Sequence, residues 1–217
     1  MGNNDEDLLE LILRERKNWM NLIMIGVNIF IFILLEITGS SKDVSHLLSW
    51  GAQSVELIQK GQYYRLVTSM FLHVGLQHLL GNMILLLFIG DYLERFVGHI
   101  RYLIIYMGSG IAANILSFQV SLRMGENTVS VGASGAIYAV LGGLIALLLL
   151  HRGKLQELSL NRVLLMSVML IYYSIRSTGV DNAAHLGGLF SGILITFLVY
   201  RRSSGRYQRN RINEWEA

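Results

Sequence analysis

Ser134 lies in the run Gly132-Ala133-Ser134-Gly135, His185 follows Ala184 at the head of a later apolar stretch, and His78 and Asn82 stand four residues apart. A serine hydroxyl is a poor nucleophile until a neighbouring base takes its proton. An imidazole that titrates near neutrality can take that proton and later return it to a leaving amine. The tetrahedral intermediate of acyl transfer needs donors for its oxyanion, which a side-chain amide and a backbone N–H supply. Residues four apart share a helix face, so His78 and Asn82 can point at one place. Glycines flanking Ser134 let backbone and substrate come close. Together these types suit hydrolysis of an acyl bond. Taken singly, each has a plainer reading. A lone serine in an apolar helix bonds back to its own helix or ties two helices together, and a lone histidine does the latter. Gly188 and Gly192, with Ala184, form a stripe of small residues that close helix packing alone explains.

The elements that must position these residues are apolar. Of 217 residues 53% are hydrophobic and 15% charged, against about a quarter charged in globular domains, and the mean hydropathy is +0.46. The absence of cysteine excludes a disulfide framework, a thiolate zinc site and a cysteine nucleophile, and the absence of proline excludes proline-rich linkers. A bilayer core of ~30 Å needs about 20 apolar residues of helix. Six stretches meet or approach this: 19–38, 79–94, 102–121, 134–150, 163–174 and 183–200, of which 163–174 is the shortest. Lipid offers no water to peptide groups, so helices are expected, and the alternation of a membrane barrel is absent. The expectation is an all-α membrane protein with six transmembrane helices.

The first stretch exceeds the 7–15 residues of a secretory signal core and reads as a retained anchor. Before it, residues 1–18 read as a cytoplasmic amphipathic segment, with Asp5, Glu6 and Asp7 suited to a helix start and Leu8, Leu9 and Ile12 on an apolar face. Residues 201–217 read as a basic cytoplasmic tail. The connection 39–77 is too long for a tight turn, and its Trp50, Tyr63 and Tyr64 suggest that it lies in the membrane interface.

Lysine and arginine placement orients the chain. One alternate set of segments holds Arg14, Arg16, Lys17, Arg95, Arg101, Arg152, Lys154, Arg162 and the five arginines of the tail; the other holds Lys42, Lys60, Arg65, Arg123 and Arg176. Thirteen against five, together the 18 basic residues of the chain, put both termini in the cytoplasm. The tail arginines then read as an orientation signal aided by anionic lipid, and nucleic acid is excluded as a partner despite the net charge of +3. At about 1.5 Å per helical residue, Ser134 stands about 27 Å from Arg152, His185 about 24 Å from Arg201, and Asn82 about 20 Å from Arg95, with His78 one turn higher. If those arginines mark the cytoplasmic boundary, a serine, two histidines and an amide share one layer in the outer half of the bilayer. Independent structural roles do not predict that coincidence.

With these motifs in this order, the chain resembles the rhomboid intramembrane serine proteases. It carries that family's His-x-x-x-Asn at His78 and Asn82, Gly-x-Ser-Gly from Gly132 to Gly135, and Ala-His-x-x-Gly-x-x-x-Gly from Ala184 to Gly192. Smaller matches are Tyr64-Arg65, where the family usually has Trp-Arg, and Gly90-x-x-Leu93-Glu94-x-x-x-Gly98. The resemblance covers about residues 19–200. It implies a six-helix rhomboid bundle and a Ser134–His185 dyad. Tyr138 would pack on the His185 ring, and His78 and Asn82, with the Ser134 N–H, would form the oxyanion site. Gly132 and Gly135 would support the nucleophile, and Arg65 and Glu94 would be structural. Because the family uses a dyad, Asp181 is expected to be a solvated loop residue; His73, in the loop just before the second helix, is expected to have a surface role. The implied substrates are transmembrane segments of other membrane proteins, unwound to reach Ser134, with no metal or organic cofactor. A bacterial plasma membrane fits best. Two other readings are a non-catalytic rhomboid-like protein that binds clients and a small transporter. The first normally lacks the serine or the histidine, and both are present here; the second favours inverted repeats with broken helices, which the sequence does not show.

Overall fold

The structure, a computed structural model, describes residues 18–155 and 158–200. The amino-terminal segment 1–18, apart from Asn18, and the tail 201–217 therefore lie outside the described residues. Helix α1 (Trp19–Thr38) is followed by three short helices, α2 (Val44–Ser49), α3 (Val55–Gln59) and α4 (Arg65–Thr68). The longer α5 (Gly75–Val97) and α6 (His99–Met124) come next, then α7 (Ser134–Leu150), α8 (Leu160–Arg176) and α9 (Asn182–Val199). Two short antiparallel pairs join loops: β1 (Gln53–Ser54) with β2 (Val129–Ser130), and β3 (Lys154–Leu155) with β4 (Leu158–Ser159). Among the described residues, α1, α5, α6 and α9 are long and apolar enough to cross a membrane, and α7 is a shorter apolar helix. Three helices outrun the apolar stretches that mark them. The stretch at 79–94 belongs to a 23-residue helix, and that at 163–174 to a 17-residue helix whose ends, with Asn161 and Arg176, are polar.

A helix apolar on all sides belongs at the centre, and α7 is buried without interruption from Gly135 to Leu148. Its closest neighbour is α9. A methyl group added to Gly188 would lie 2.0 Å from the Gly135 carbonyl oxygen, one on Gly192 2.0 Å from that of Ala139, and one on Gly142 2.1 Å from that of Leu189. The two backbones touch, as small residues permit where lipid supplies no hydrophobic drive for association. The outer faces carry Phe30, Ile37, Phe88, Ile100 and Leu198, all largely exposed, an apolar belt of a kind that soluble monomers rarely show.

The connection between α1 and α5 is an ordered lobe whose Leu47, Ala52 and Leu72 form a small core with Leu35 of α1. Arg65 is buried within it and donates to the carbonyls of Leu48 and Ala52, 2.8 Å each, and to Gln62 Oε1 at 2.7 Å. A planar guanidinium can satisfy carbonyls in several directions, and so turns a polar loop into a packed unit.

At the other end of α5, Glu94 is buried. Its carboxylate accepts from the N–H groups of Met20 (3.0 Å) and Asn21 (2.7 Å) and contacts His99 Nδ1. It thus caps the otherwise unsatisfied first turn of α1, where negative charge also suits the helix dipole. Between these two regions, α5 makes one π turn at Leu86–Gly90. Asn21 Nδ2 donates to the Leu86 carbonyl there (3.0 Å), and the Tyr102 hydroxyl donates to Asn21 Oδ1 (2.6 Å). A side chain inserted into a helix ladder is a recognised cause of such a turn.

Candidate active site

The loop before α7 is shaped by Gly132, whose φ of +133° suits glycine alone. Its N–H donates to the Ser69 carbonyl (2.9 Å), and a β-carbon there would meet the His78 ring at 2.9 Å. Ser134 opens α7, and its Oγ lies 2.8 Å from His185 Nε2. Tyr138, one turn further along α7, stacks on the His185 ring with centroids 4.1 Å apart and planes 13° from parallel, while its hydroxyl donates to the Leu170 carbonyl of α8 (2.9 Å). Gly135 packs against Ala113 and Ala184. The close α7–α9 contact is what holds a hydroxyl on one helix within hydrogen-bond reach of an imidazole on the other.

His78 and Asn82 project from the first turns of α5. Asn82 is buried and one of its amide hydrogens goes to the His78 carbonyl (3.0 Å), which leaves the second hydrogen free to donate elsewhere.

Two expectations require correction. Asp181 is not a solvated loop residue. Its Oδ1 accepts from the Ala184 N–H (2.9 Å) as the N-cap of α9, and its Oδ2 accepts from Ser130 Oγ (2.8 Å) and from Ser117 Oγ. An aspartate just before an apolar helix is a strong N-cap, and here it also ties β2 and α6 to the helix that carries His185. His73 does not lie on the surface. It is 0% exposed, with its ring centroid 5.1 Å from that of His78, because the segment that leads into α5 is folded inward over the lobe core. Burial, and secondarily the His78 ring, pushes its pKa down to about 3, so its ring is neutral.

The structure adds two residues that the motifs did not contain. Ser174 Oγ lies 2.7 Å from His185 Nδ1, and the Ser174 hydroxyl donates to Asn182 Oδ1 at 2.6 Å. Val163, Ser167 and Ser174 form the buried face of α8, and it is this burial, not a motif, that marks Ser174 as a polar group needing a partner.

A sequence profile described as the Rhomboid domain matches residues 60–202. The chain belongs to the rhomboid family. Rhomboid protease GluP of Bacillus subtilis is 33% identical to this rhomboid over 181 residues, which is 83% of this chain and 35% of that protein. RHOMBOID-like protein 7 of Arabidopsis thaliana is likewise 33% identical over 181 residues, 83% of this chain and 55% of that protein. Putative rhomboid protease YdcA of Bacillus subtilis is 31% identical over 150 residues, 69% of this chain and 74% of that protein. The chain thus spans about a third to about half the length of the first two relatives. Family and apolar helices together make it an integral membrane protein.

Proposed function

We propose that this rhomboid is an intramembrane serine endopeptidase, and that Ser134 and His185 are its catalytic dyad. The observation that carries the reading is the 2.8 Å contact between Ser134 Oγ and His185 Nε2 under a stacked Tyr138. His185 takes the hydroxyl proton as Ser134 Oγ attacks the peptide carbonyl, then returns it to the leaving amine, giving an acyl-enzyme. Water, deprotonated by the same imidazole, releases the acyl group and restores the serine. The oxyanion of each tetrahedral intermediate is received by the Ser134 N–H, the second amide hydrogen of Asn82 and the His78 side chain. Tyr138 keeps the imidazole upright between Ser134 and α8, and Gly132 and Gly135 keep the approach to the hydroxyl open.

The substrate class is a transmembrane segment of another protein, since the site lies among helices whose outer faces are apolar. In this reading residues 19–200 form a six-helix domain, between the cytoplasmic segment 1–18 and the tail 201–217. The excess of lysine and arginine on one set of segments puts both termini in the cytoplasm, and a bacterial plasma membrane is the setting. The test is cleavage of a purified single-pass substrate by the reconstituted protein, with Ser134→Ala as control. Wild-type cleavage with none from Ser134→Ala is expected. Equal cleavage by Ser134→Ala overturns the mechanism.

A further inference from the structure

The dyad reading leaves the other face of the His185 ring without a role. To accept the Ser134 proton, Nε2 must be bare, so the single proton of a neutral imidazole has to sit on Nδ1. What Nδ1 meets therefore sets which nitrogen works. In this structure it meets Ser174 Oγ at 2.7 Å, on the inner face of α8. A serine hydroxyl has one proton, and that of Ser174 goes to Asn182 Oδ1 at 2.6 Å. Its oxygen is left as an acceptor toward the ring. Ser174 is buried, so no bulk water competes for either bond.

We propose that Ser174 is a positioning residue for His185: its hydroxyl, turned by Asn182, accepts the Nδ1–H and so holds the tautomer whose bare Nε2 faces Ser134. The relay runs Asn182, Ser174, His185, Ser134 across α9, α8 and α7. It does for this ring what a buried carboxylate does in a Ser–His–Asp triad, which also acts by fixing tautomer and orientation. A neutral hydroxyl does so without placing a charge between membrane helices, where charge is expensive. The same bond strengthens as His185 becomes imidazolium, since a charged donor makes the stronger hydrogen bond. Asp181 does not fill this place: its two oxygens are engaged by Ala184 N–H, Ser117 and Ser130. The titratable and charged groups that face the ring are Tyr138 from α7, His78 from α5 and Asp181 from the turn before α9, and α8 presents the neutral Ser174.

This rests on the hydrolase reading, and the test keeps the two separable. The full-length protein, labelled with nitrogen-15 histidine, is examined by NMR at slightly alkaline pH, with the His185 signals identified by their loss in His185→Ala. Wild type and Ser174→Thr should show a protonated Nδ1 and a bare Nε2, and Ser174→Ala a mixture of tautomers. In cleavage assays Ser174→Ala should lower kcat by roughly tenfold at unchanged KM, the scale of one hydrogen bond, and Ser174→Thr should restore it. The acid limb of the pH–rate profile should move to lower pH in Ser174→Ala and to higher pH in Ser174→Asp, where a carboxylate faces the ring. A merely structural serine would move none of these and would show only a lower melting temperature. A wild-type His185 with its proton on Nε2, or a Ser174→Ala enzyme with wild-type kcat and pH limb, overturns the proposal. If wild type cleaves nothing while the Nδ1–H tautomer is present and lost in Ser174→Ala, the protease reading fails and the positioning bond stands.

Discussion

At the residue scale, the roles proposed for Asn82 as oxyanion donor and His185 as base should be told apart by the degree of loss when each is removed. Loss of one oxyanion donor typically costs ~10²–10³ in rate, and that loss falls on kcat because the oxyanion exists only beyond the ground state. Asn82→Ala should therefore retain measurable cleavage at little-changed KM, while His185→Ala should fall further. A fluorophosphonate probe, which needs an activated Ser134, should label His185→Ala far less than Asn82→Ala. Equal labelling would show that the roles are misassigned. His73 makes a different prediction. Its folded pKa, about 3, lies below the ~6.5 of a free histidine. The unfolded chain therefore binds a proton that the folded one refuses as pH falls below about 6.5, and stability declines from there toward pH 3. The slope is at most about 1.4 kcal/mol per pH unit for this one group. Melting temperatures of wild type and His73→Gln between pH 7 and 4.5 check it: the substitution should flatten the acid-side fall, and an unchanged slope would remove His73 as its source. His78, Asn82, Ser134 and His185 could be singled out from sequence because each is a polar residue at the head of an apolar run. Ser174 could not be weighed in the same way. It lies at the far end of its helix, and only the inward face of α8 shows that it meets His185. Asp181 was misread for a related reason: a cap is a property of the helix that follows, and its partners Ser117 and Ser130 belong to other elements.

Among the elements, the α7–α9 contact is the one on which the site depends. Gly188 has backbone on the facing side, 2.0 Å from where a methyl would go, so Gly188→Ala must drive the helices apart. A displacement near 1 Å at a reacting pair can cost about 10²-fold in rate, and cleavage by Gly188→Ala should fall by that order, with a lower melting temperature. Gly26, which has nothing within 4 Å of its would-be β-carbon, is the control, and Gly26→Ala should behave as wild type. Similar behaviour of the two variants would mean that α7 and α9 can separate without harm. The small-residue stripe on α9 was visible in the sequence as a packing motif, and the structure makes it the reason that the two proposed catalytic residues meet. The lobe between α1 and α5 was legible only as something too long and aromatic to be a turn. Its order comes from the carbonyls that Arg65 collects, and these pairings span separations that no local pattern encodes.

At the scale of the whole molecule, α5 joins two jobs. Its first turns carry Asn82 and His78, whose ring lies beside Gly132, and its last turns carry Glu94 to the start of α1. Helical periodicity alone reads it as one uniform helix, and so passes over the π turn at Leu86–Gly90. That turn holds one residue more than an α-helical turn, which offsets the angular phase of everything beyond it by about 100°, the rotation of one residue. The two halves of α5 therefore keep separate azimuths, one aimed at the proposed site and one at α1. Deleting Phe88 would restore a regular ladder and leave either half correctly aimed, but not both. Reading such a variant is simple: if Glu94 stays on α1, the melting temperature holds and cleavage is lost; if His78 and Asn82 stay on Ser134, the reverse follows. A variant that keeps both would mean that the extra residue sets no angle at all. By this geometry, a single additional amino acid in the second half of α5 acts as a phase shifter for the chemistry proposed at its first turns.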